Sequence, residues 1–214
     1  MASTSEVGPG VWLDHFVVAI DDLETGIEAF EALSGVRPVY GGEHPALGTH
    51  NALVSLGRDH YLEIVAPRPG AQLDPMFGAA SAHSTLTPIL WALATDDIGS
   101  LHAVATSTGL VANEPGAGSR LTDDGETIRW TMFVMGDVDL INAPFFLQWD
   151  PGTTHPAASS PAGCRLQSFA IATPTRGRLE LLLTSVGFPL EVDSGPVRMM
   201  ISLATPRGIV TLGG

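Results

Sequence analysis

The sequence predicts an α+β fold, built from two tandem βαβββ modules and a partial third unit at the C-terminal end. Three observations predict it. Residues 11–20 (VWLDHFVVAI) alternate as a strand does, and residues 21–33 (DDLETGIEAFEAL) then change to helical spacing through Leu23, Ile27, Phe30 and Leu33. Short apolar strand candidates follow. The same order returns from residue 88, a repeat of about 75–85 residues whose units must bury their sheet faces against one another.

In the first module, residues 11–67, Asp21 or Asp22 caps the helix and Gly35 ends it. Strands are predicted at VRPVY, HNALVSLG and HYLEIVAP, with Gly57-Arg58-Asp59 as a tight turn. The second module, residues 88–150, opens with PILWALATDD, ending in the same Asp-Asp as the first strand. A helix at 98–109 places Ile98, Leu101, Val104 and Ala105 on one side. Strand candidates GSRLTDDG, TIRWTMFVM and, after GDVDLINA, PFFLQWD complete it, so that Leu147-Gln148 takes the slot of Leu62-Glu63. A Pro/Gly/Ser-rich connector (151–163) leads to a third pass over 164–214, with CRLQSFAIATP, a helix around TRGRLELLLTSVG, then PLEVDSG, VRMMISLATP and GIVTLGG. That stretch is too short to bury a core of its own and is expected to pack on the modules.

Composition narrows the function classes. Ten basic against 23 acidic residues, a formal charge of -13, disfavour nucleic acid and anionic membrane surfaces as partners. Cys164 is the single cysteine, which excludes an internal disulfide framework and Cys-rich zinc sites. The start, MASTSEVGPG, lacks a basic segment followed by an apolar run, and no later run is long and apolar enough to span a bilayer, so a cytoplasmic protein is expected. No GxGxxG or GxxxxGK[ST] phosphate loop is present, and Ser81-Ala82-His83 and Thr153-Thr154-His155 lack the GxSxG elbow of a serine hydrolase.

Glu63 lies between Leu62 and Ile64 in a strand that reads as buried. Burying a carboxylate costs several kcal/mol unless it is paired, hydrogen-bonded or bound to a metal. Alternation puts Phe16, Val18 and Ile20 beneath the helix and turns Leu13, His15, Val17 and Ala19 the other way; Tyr61, Glu63 and Val65 likewise oppose His60, Leu62, Ile64 and Ala66. His15 and Glu63 can therefore face one concavity. Imidazole and carboxylate are ordinary ligands for Zn, Mn, Ni or Fe, and Gln148, His50, His60 or His155 would have to complete a set.

These residues meet a resemblance. The opening LDHFVVAIDDLETGIEAF, the stretch GGEHPALGTHNALVSLGRDHYLEIVAP and the later PFFLQWDPGTTHPA resemble the glyoxalase-like branch of the vicinal oxygen chelate (glyoxalase/bleomycin resistance/extradiol dioxygenase) superfamily, over residues 11–150 and into the connector. The resemblance implies a cupped mixed sheet around a divalent metal, bound by a His on the first strand and a Glu or His on the fourth strand of each contributing module. By position this implies His15, Glu63 and Gln148 as metal ligands. His155 matches the His-Pro that follows the last strand and is a candidate on the substrate side. His15, Glu63, His50 and His155 are thus the candidate catalytic residues. The sequence departs from the pattern at the first strand of module two, which offers Leu90 and Trp91, and at the third unit, which offers Gln167 and Ser168.

The leading expectation is a metal-assisted lyase or isomerase acting on a small oxygenated organic substrate. Three alternatives stand beside it: a metal-free small-molecule binder, an oxygenase of the same superfamily, which normally uses two histidines and one carboxylate, and a structural partner domain. Each candidate also has an ordinary reading. Glu63 could pair with Arg58 or Arg68, His15 could be a core histidine bonded to a carbonyl, and Gln148 could satisfy buried backbone. Trp91, Trp130, Phe133, Phe146 and Trp149 read as core packing with a minority lining a pocket, and Arg129 as a solvent-facing residue or an anion contact. Exposed strand edges make a homodimer a reasonable expectation.

Overall fold

The computed structural model describes residues 10–74, 77, 82–136, 143–188 and 190–214. The opening residues 1–9, Ser81, Pro189 of PLEVDSG and residues 137–142 of GDVDLINA lie outside the described residues. The first module comprises β1 (Val11–Ala19), α1 (Leu23–Ser34), β2 (Val39–His44), β3 (Thr49–Ser55) and β4 (Tyr61–Pro67). The second comprises β5 (Thr87–Thr95), α2 (Ile98–Ser107), β6 (Gly116–Leu121), β7 (Thr127–Phe133) and β8 (Phe145–Trp149). A short helix α3 (Pro156–Ser159) precedes β9 (Arg165–Thr173), α4 (Arg176–Ser185), β10 (Val192–Ser194), β11 (Arg198–Thr205) and β12 (Gly208–Gly213). No helix among the described residues is long and apolar enough to cross a membrane.

Local chemistry accounts for the main boundaries. Asp22 caps α1 by accepting from the Thr25 N–H at 2.9 Å, and Gly35 ends it in the left-handed region at φ 79°. Leu23, Ile27 and Phe30 of the predicted stripe are buried, whereas Leu33 is 48% exposed, because the buried face continues through Ser34, four residues after Phe30, and leaves Leu33 beside it. β2 starts later than predicted: Pro38 has no N–H to give a ladder, and the strand forms only beyond it, running on to His44.

The eight module strands close into a barrel in the order β1-β4-β3-β2-β6-β7-β8-β5. Within each module the first and fourth strands pair in parallel, β1 with β4 and β5 with β8. The modules meet along an antiparallel β1–β5 seam and, on the other side, through the single pair Glu43↔Leu121 between β2 and β6. The expected cupped sheet is thus a closed wall, and the two modules pair within one chain. Phe16, Val18, Ile20, Leu62 and Ile64 form the main core with Phe30, while Val17, Ala19, Val65 and Leu90 form a separate apolar group on the other face of the strands.

One departure from simple alternation decides the site. The β1–β5 register slips between Leu13 and His15, so that Leu13 opposes Leu93 and His15 opposes Ala92, with Asp14 as the extra residue of a bulge. Leu13 therefore joins the main core rather than sharing the face of His15.

The C-terminal unit repeats the βαβββ order but not the pairing. Its sheet runs β10-β9-β11-β12, with β9 beside the antiparallel β11 and the parallel β10. Leu179, Leu182, Ile201 and Leu203 belong to the same core as Phe16 and Trp91. The Phe169 ring lies 4.7 Å from that of Phe16 and 5.0 Å from that of Trp91, keying the unit to both modules. Phe169→Ala is expected to cost about 3 kcal/mol, the lower end for aromatic truncation because the ring is only half-buried. Urea unfolding followed by circular dichroism should show one transition shifted to lower urea; an unshifted midpoint would mean the third unit is not keyed to the barrel through this ring.

Candidate functional site

The barrel encloses a cavity of about 280 Å³, near the lower end of ligand pockets, which run to roughly 300–1,000 Å³. Its polar wall is His15, His44, Asn51, Tyr61, Glu63 and Arg120, set among apolar side chains that include Val17, Leu90, Phe145 and Leu147. His15 and Glu63 come together as the strand faces predict, because β1 and β4 are parallel neighbours with His15 opposite Tyr61 and Val17 opposite Glu63.

Glu63 is 7% exposed and its two oxygens are turned to different partners. Oε2 lies 3.5 Å from His15 Nε2, and Oε1 lies 3.7 Å from His44 Nε2. Oε1 also accepts from Asn51 Nδ2 at 2.6 Å, and Asn51 Oδ1 accepts from Arg120 Nη1 at 3.4 Å. Burial pushes the Glu63 carboxyl up, but His44, His15, the Asn51 hydrogen bond and Arg120 together hold it below its usual value. It is an anion in the cavity wall. Burial moves the His44 imidazole down, against the pull of Glu63, and its Nδ1 lies 3.2 Å from Thr49 Oγ1.

Behind His15 stands the bulge residue Asp14, fully buried. Its Oδ1 is 2.6 Å from His15 Nδ1, and its Oδ2 accepts from Trp149 Nε1 at 2.9 Å and from His155 Nε2 at 3.0 Å. His155 Nδ1 accepts from the Ala157 N–H at 3.2 Å, which leaves Nε2 as its N–H and fixes that tautomer. The Asp14 bond likewise places the Nδ1 proton of His15 on the far side of the ring and turns Nε2 to the cavity. The ring stacks on Tyr61 at 4.5 Å and 18°. Burial raises the Asp14 carboxyl, yet the bonds from His15, His155 and Trp149 outweigh it and hold the group well below the usual carboxylate range.

Several sequence candidates lie elsewhere. Gln148 is not in the cavity wall: its Oε1 accepts from the Ile98 N–H at 2.9 Å at the start of α2, and its neighbour Leu147 faces the cavity instead. The Leu62-Glu63 slot was matched one residue out of phase, since one residue of shift exchanges strand faces. His50 shares its strand face with Ala52 and Val54 of the main core; its charged neighbours are Glu43, Asp22 and Arg68, while the next residue, Asn51, reaches the cavity. His60 donates from Nδ1 to the Leu13 carbonyl at 3.0 Å. His155 touches Asp14 rather than the cavity.

Sequence reading missed Asp14, His44 and Arg120. Asp14 is invisible to alternation because a bulge creates it. His44 stood in an apparent loop, although the following Pro45 restricts it to extended backbone, a usable strand signal. Arg120 reaches Asn51 only through barrel closure.

Two imidazole nitrogens and a carboxylate are donor types suited to Zn, Mn, Ni or Fe, and His15 already carries on its far nitrogen the carboxylate that metal-bound histidines usually have. The donor chemistry fits a divalent ion. Among the described residues, however, no group of three or more His, Cys, Asp and Glu side chains is gathered in a metal-holding arrangement, since Glu63 turns a different oxygen to each imidazole.

Comparison with known proteins follows the same lines. A family model described as a glyoxalase-like domain matches residues 13–187. No curated protein matches the sequence. Among solved structures, a hypothetical protein from Staphylococcus aureus is similar at 16% identity with a TM-score of 0.68, over 95% of this chain and 85% of that one. Methylmalonyl-CoA epimerase from Mycobacterium tuberculosis is 19% identical with a TM-score of 0.46, over 72% of this chain and 94% of that one. Hypothetical protein BH1468 from Bacillus halodurans C-125 is 12% identical with a TM-score of 0.48, over 68% and 97%. At these identities the likeness to the Staphylococcus aureus protein is one of fold.

Asp14→Asn is expected to destabilise the protein at pH 7 by about 3 kcal/mol, as breaking a buried charged network does. The Asp14 pKa is lower folded than unfolded, so its contribution is complete above the unfolded value of about 4 and is lost as pH falls through the folded value. Urea titrations from pH 7 down to pH 2 should therefore show the gap between wild type and variant narrowing in acid. A gap independent of pH would remove the charged hub.

Proposed function

The chain belongs to the glyoxalase-like domain family, within the vicinal oxygen chelate superfamily, and we propose that its cavity takes a small oxygenated organic substrate and moves a proton on it, as an isomerase or lyase does. The observation that carries this reading is the anionic Glu63 in the cavity wall, flanked by His15 and His44. Glu63 is the base: it takes a proton from a carbon beside a carbonyl, the C–H electron pair forms a C=C bond as the carbonyl π pair moves onto oxygen, and return of the proton to carbon with the reverse shift of electrons completes an isomerisation. Asp14 and His155 are positioning residues, holding His15 in the orientation that turns Nε2 to the substrate. Tyr61 packs the His15 ring, and the apolar wall excludes water.

A divalent ion of the Zn, Mn, Ni or Fe class would be held by His15 Nε2, His44 Nε2 and Glu63, and when bound supplies Lewis-acid polarisation of a substrate oxygen. A second reading, a binding protein without turnover and without metal, draws support from the Asn51 amide on Glu63 Oε1, which stabilises the carboxylate without an ion. The proposal includes a cytoplasmic homodimer. The single cysteine is buried, and the C-terminal sheet has open edges at β10 and β12, with Ile209 exposed on the latter.

Glu63→Gln is expected to slow solvent-deuterium exchange into carbonyl compounds by about 100-fold or more, the usual size of a general-base contribution, as followed by proton NMR. Wild-type protein that exchanges none of a panel of short aldehydes, ketones and 2-oxo compounds would leave the binding reading in its place. Elemental analysis of protein purified without a metal-binding tag should find metal in wild type and lose it in His15→Ala, His44→Ala and Glu63→Ala. Metal unaffected by all three substitutions would sink the ligand assignment.

A further inference from the structure

Arg120 on β6 is a buried cation whose charge the cavity leaves open. It is 5% exposed, and among the described residues its one hydrogen bond is the 3.4 Å contact from Nη1 to Asn51 Oδ1. Among the described residues no carboxylate forms an ion pair with it. A guanidinium has five N–H donors, and leaving a buried charge so poorly matched is costly. Direct contact with Glu63 would have been the simple remedy, since both groups line one cavity. Asn51 stands between them instead, its Nδ2 donating to Glu63 and its Oδ1 accepting from Arg120. The amide keeps anion and cation one side chain apart, and each retains free valences toward the cavity.

The backbone makes room for this arrangement. A Cβ on Gly41 would collide with the Arg120 guanidinium and lie 2.5 Å from Asn51 Oδ1, so only glycine lets the charged plane lie against β2. Arg120 also borders a second groove on the outer side, where Asp123, Asp124, Glu126 and Asp150 outnumber the cations Arg120 and Arg129. The cavity face presents one carboxylate, Glu63, beside the guanidinium, and is the less acidic of the two.

From this we infer that the cavity selects a short 2-oxo or 2-hydroxy acid, its carboxylate seated on Arg120 and its oxygenated carbon presented toward Glu63 and His15. The inference rests on the cavity being the substrate site. A planar guanidinium matches a carboxylate with two parallel N–H···O bonds, and the buried setting strengthens them. In a 2-hydroxy acid the proton within reach of Glu63 is on C2, next to the carboxylate, and in a 2-oxo acid it is on C3, one carbon further, so anion and acidic carbon lie a short step apart, in keeping with the single amide that spans Arg120 and Glu63. The apolar walls formed by Leu90, Phe145 and Leu147 leave the remaining substituent a hydrocarbon environment.

The test uses pyruvate, lactate and their methyl esters, with binding measured by titration calorimetry on the whole protein. At least one acid is expected to bind saturably to wild type and at least tenfold more tightly than its neutral ester. Arg120→Met should weaken acid binding at least tenfold and leave ester binding unchanged, while Arg120→Lys should retain part of the preference. Glu63→Gln should still bind the acid, even if it abolishes exchange. Esters binding as tightly as acids, acid binding surviving in Arg120→Met, or neither acid binding below about 10 mM would each overturn the inference. If Arg120→Met does not fold, the comparison of acids with esters on wild type decides alone. A protein that binds acids through Arg120 but exchanges no proton would uphold this assignment and sink the proton-transfer reading.

Discussion

One fully buried carboxylate holds the site together. Asp14 accepts from a histidine beside it on the same strand, from the indole of the last barrel strand and from the histidine that opens α3. These partners come from β1, β8 and the start of α3, and each would lose its hydrogen bond if Asp14 moved. Desolvation makes the arrangement all-or-none: the carboxylate is tolerable only with its donors in place. The orientation of the His15 ring, and with it what faces the cavity, follows from that constraint.

Glu63 solves the same problem differently. Its charge meets one amide donor and two imidazoles, and it stays anionic while remaining in contact with open cavity. Asp14 is saturated and structural, whereas Glu63 is stabilised but not saturated. The difference between two buried acids is therefore one of unspent hydrogen-bonding capacity. That difference marks the second as the group able to meet a ligand.

Much of the architecture was legible in the residues. The βαβββ order, the caps of α1 and the shared face of His15 and Glu63 all follow from local periodicity, which barrel closure leaves intact. What escaped was non-local or one residue out of phase. Alternation cannot register the bulge at Asp14, and it wrongly assigned Leu13 to the face of His15. The cavity is lined by Asn51 rather than His50 and by Leu147 rather than Gln148, because a strand has two faces and slot-matching without a register does not pick between them. His44 and Arg120 meet their partners only after β2 and β6 have curled around the barrel.

The two halves of the barrel share a plan but differ in chemical content. Where the first carries Asp14, His15, His44 and Glu63, the second turns Leu90, Trp130, Phe145, Leu147 and the lone cation Arg120 inward. Repetition of a scaffold ordinarily doubles whatever it bears; here the carboxylate and imidazoles of the cavity wall come from one half and the guanidinium from the other, joined through the Asn51 amide. A substitution on either side of that amide is therefore felt on the other, and the two halves of the barrel are coupled in chemistry as well as in packing.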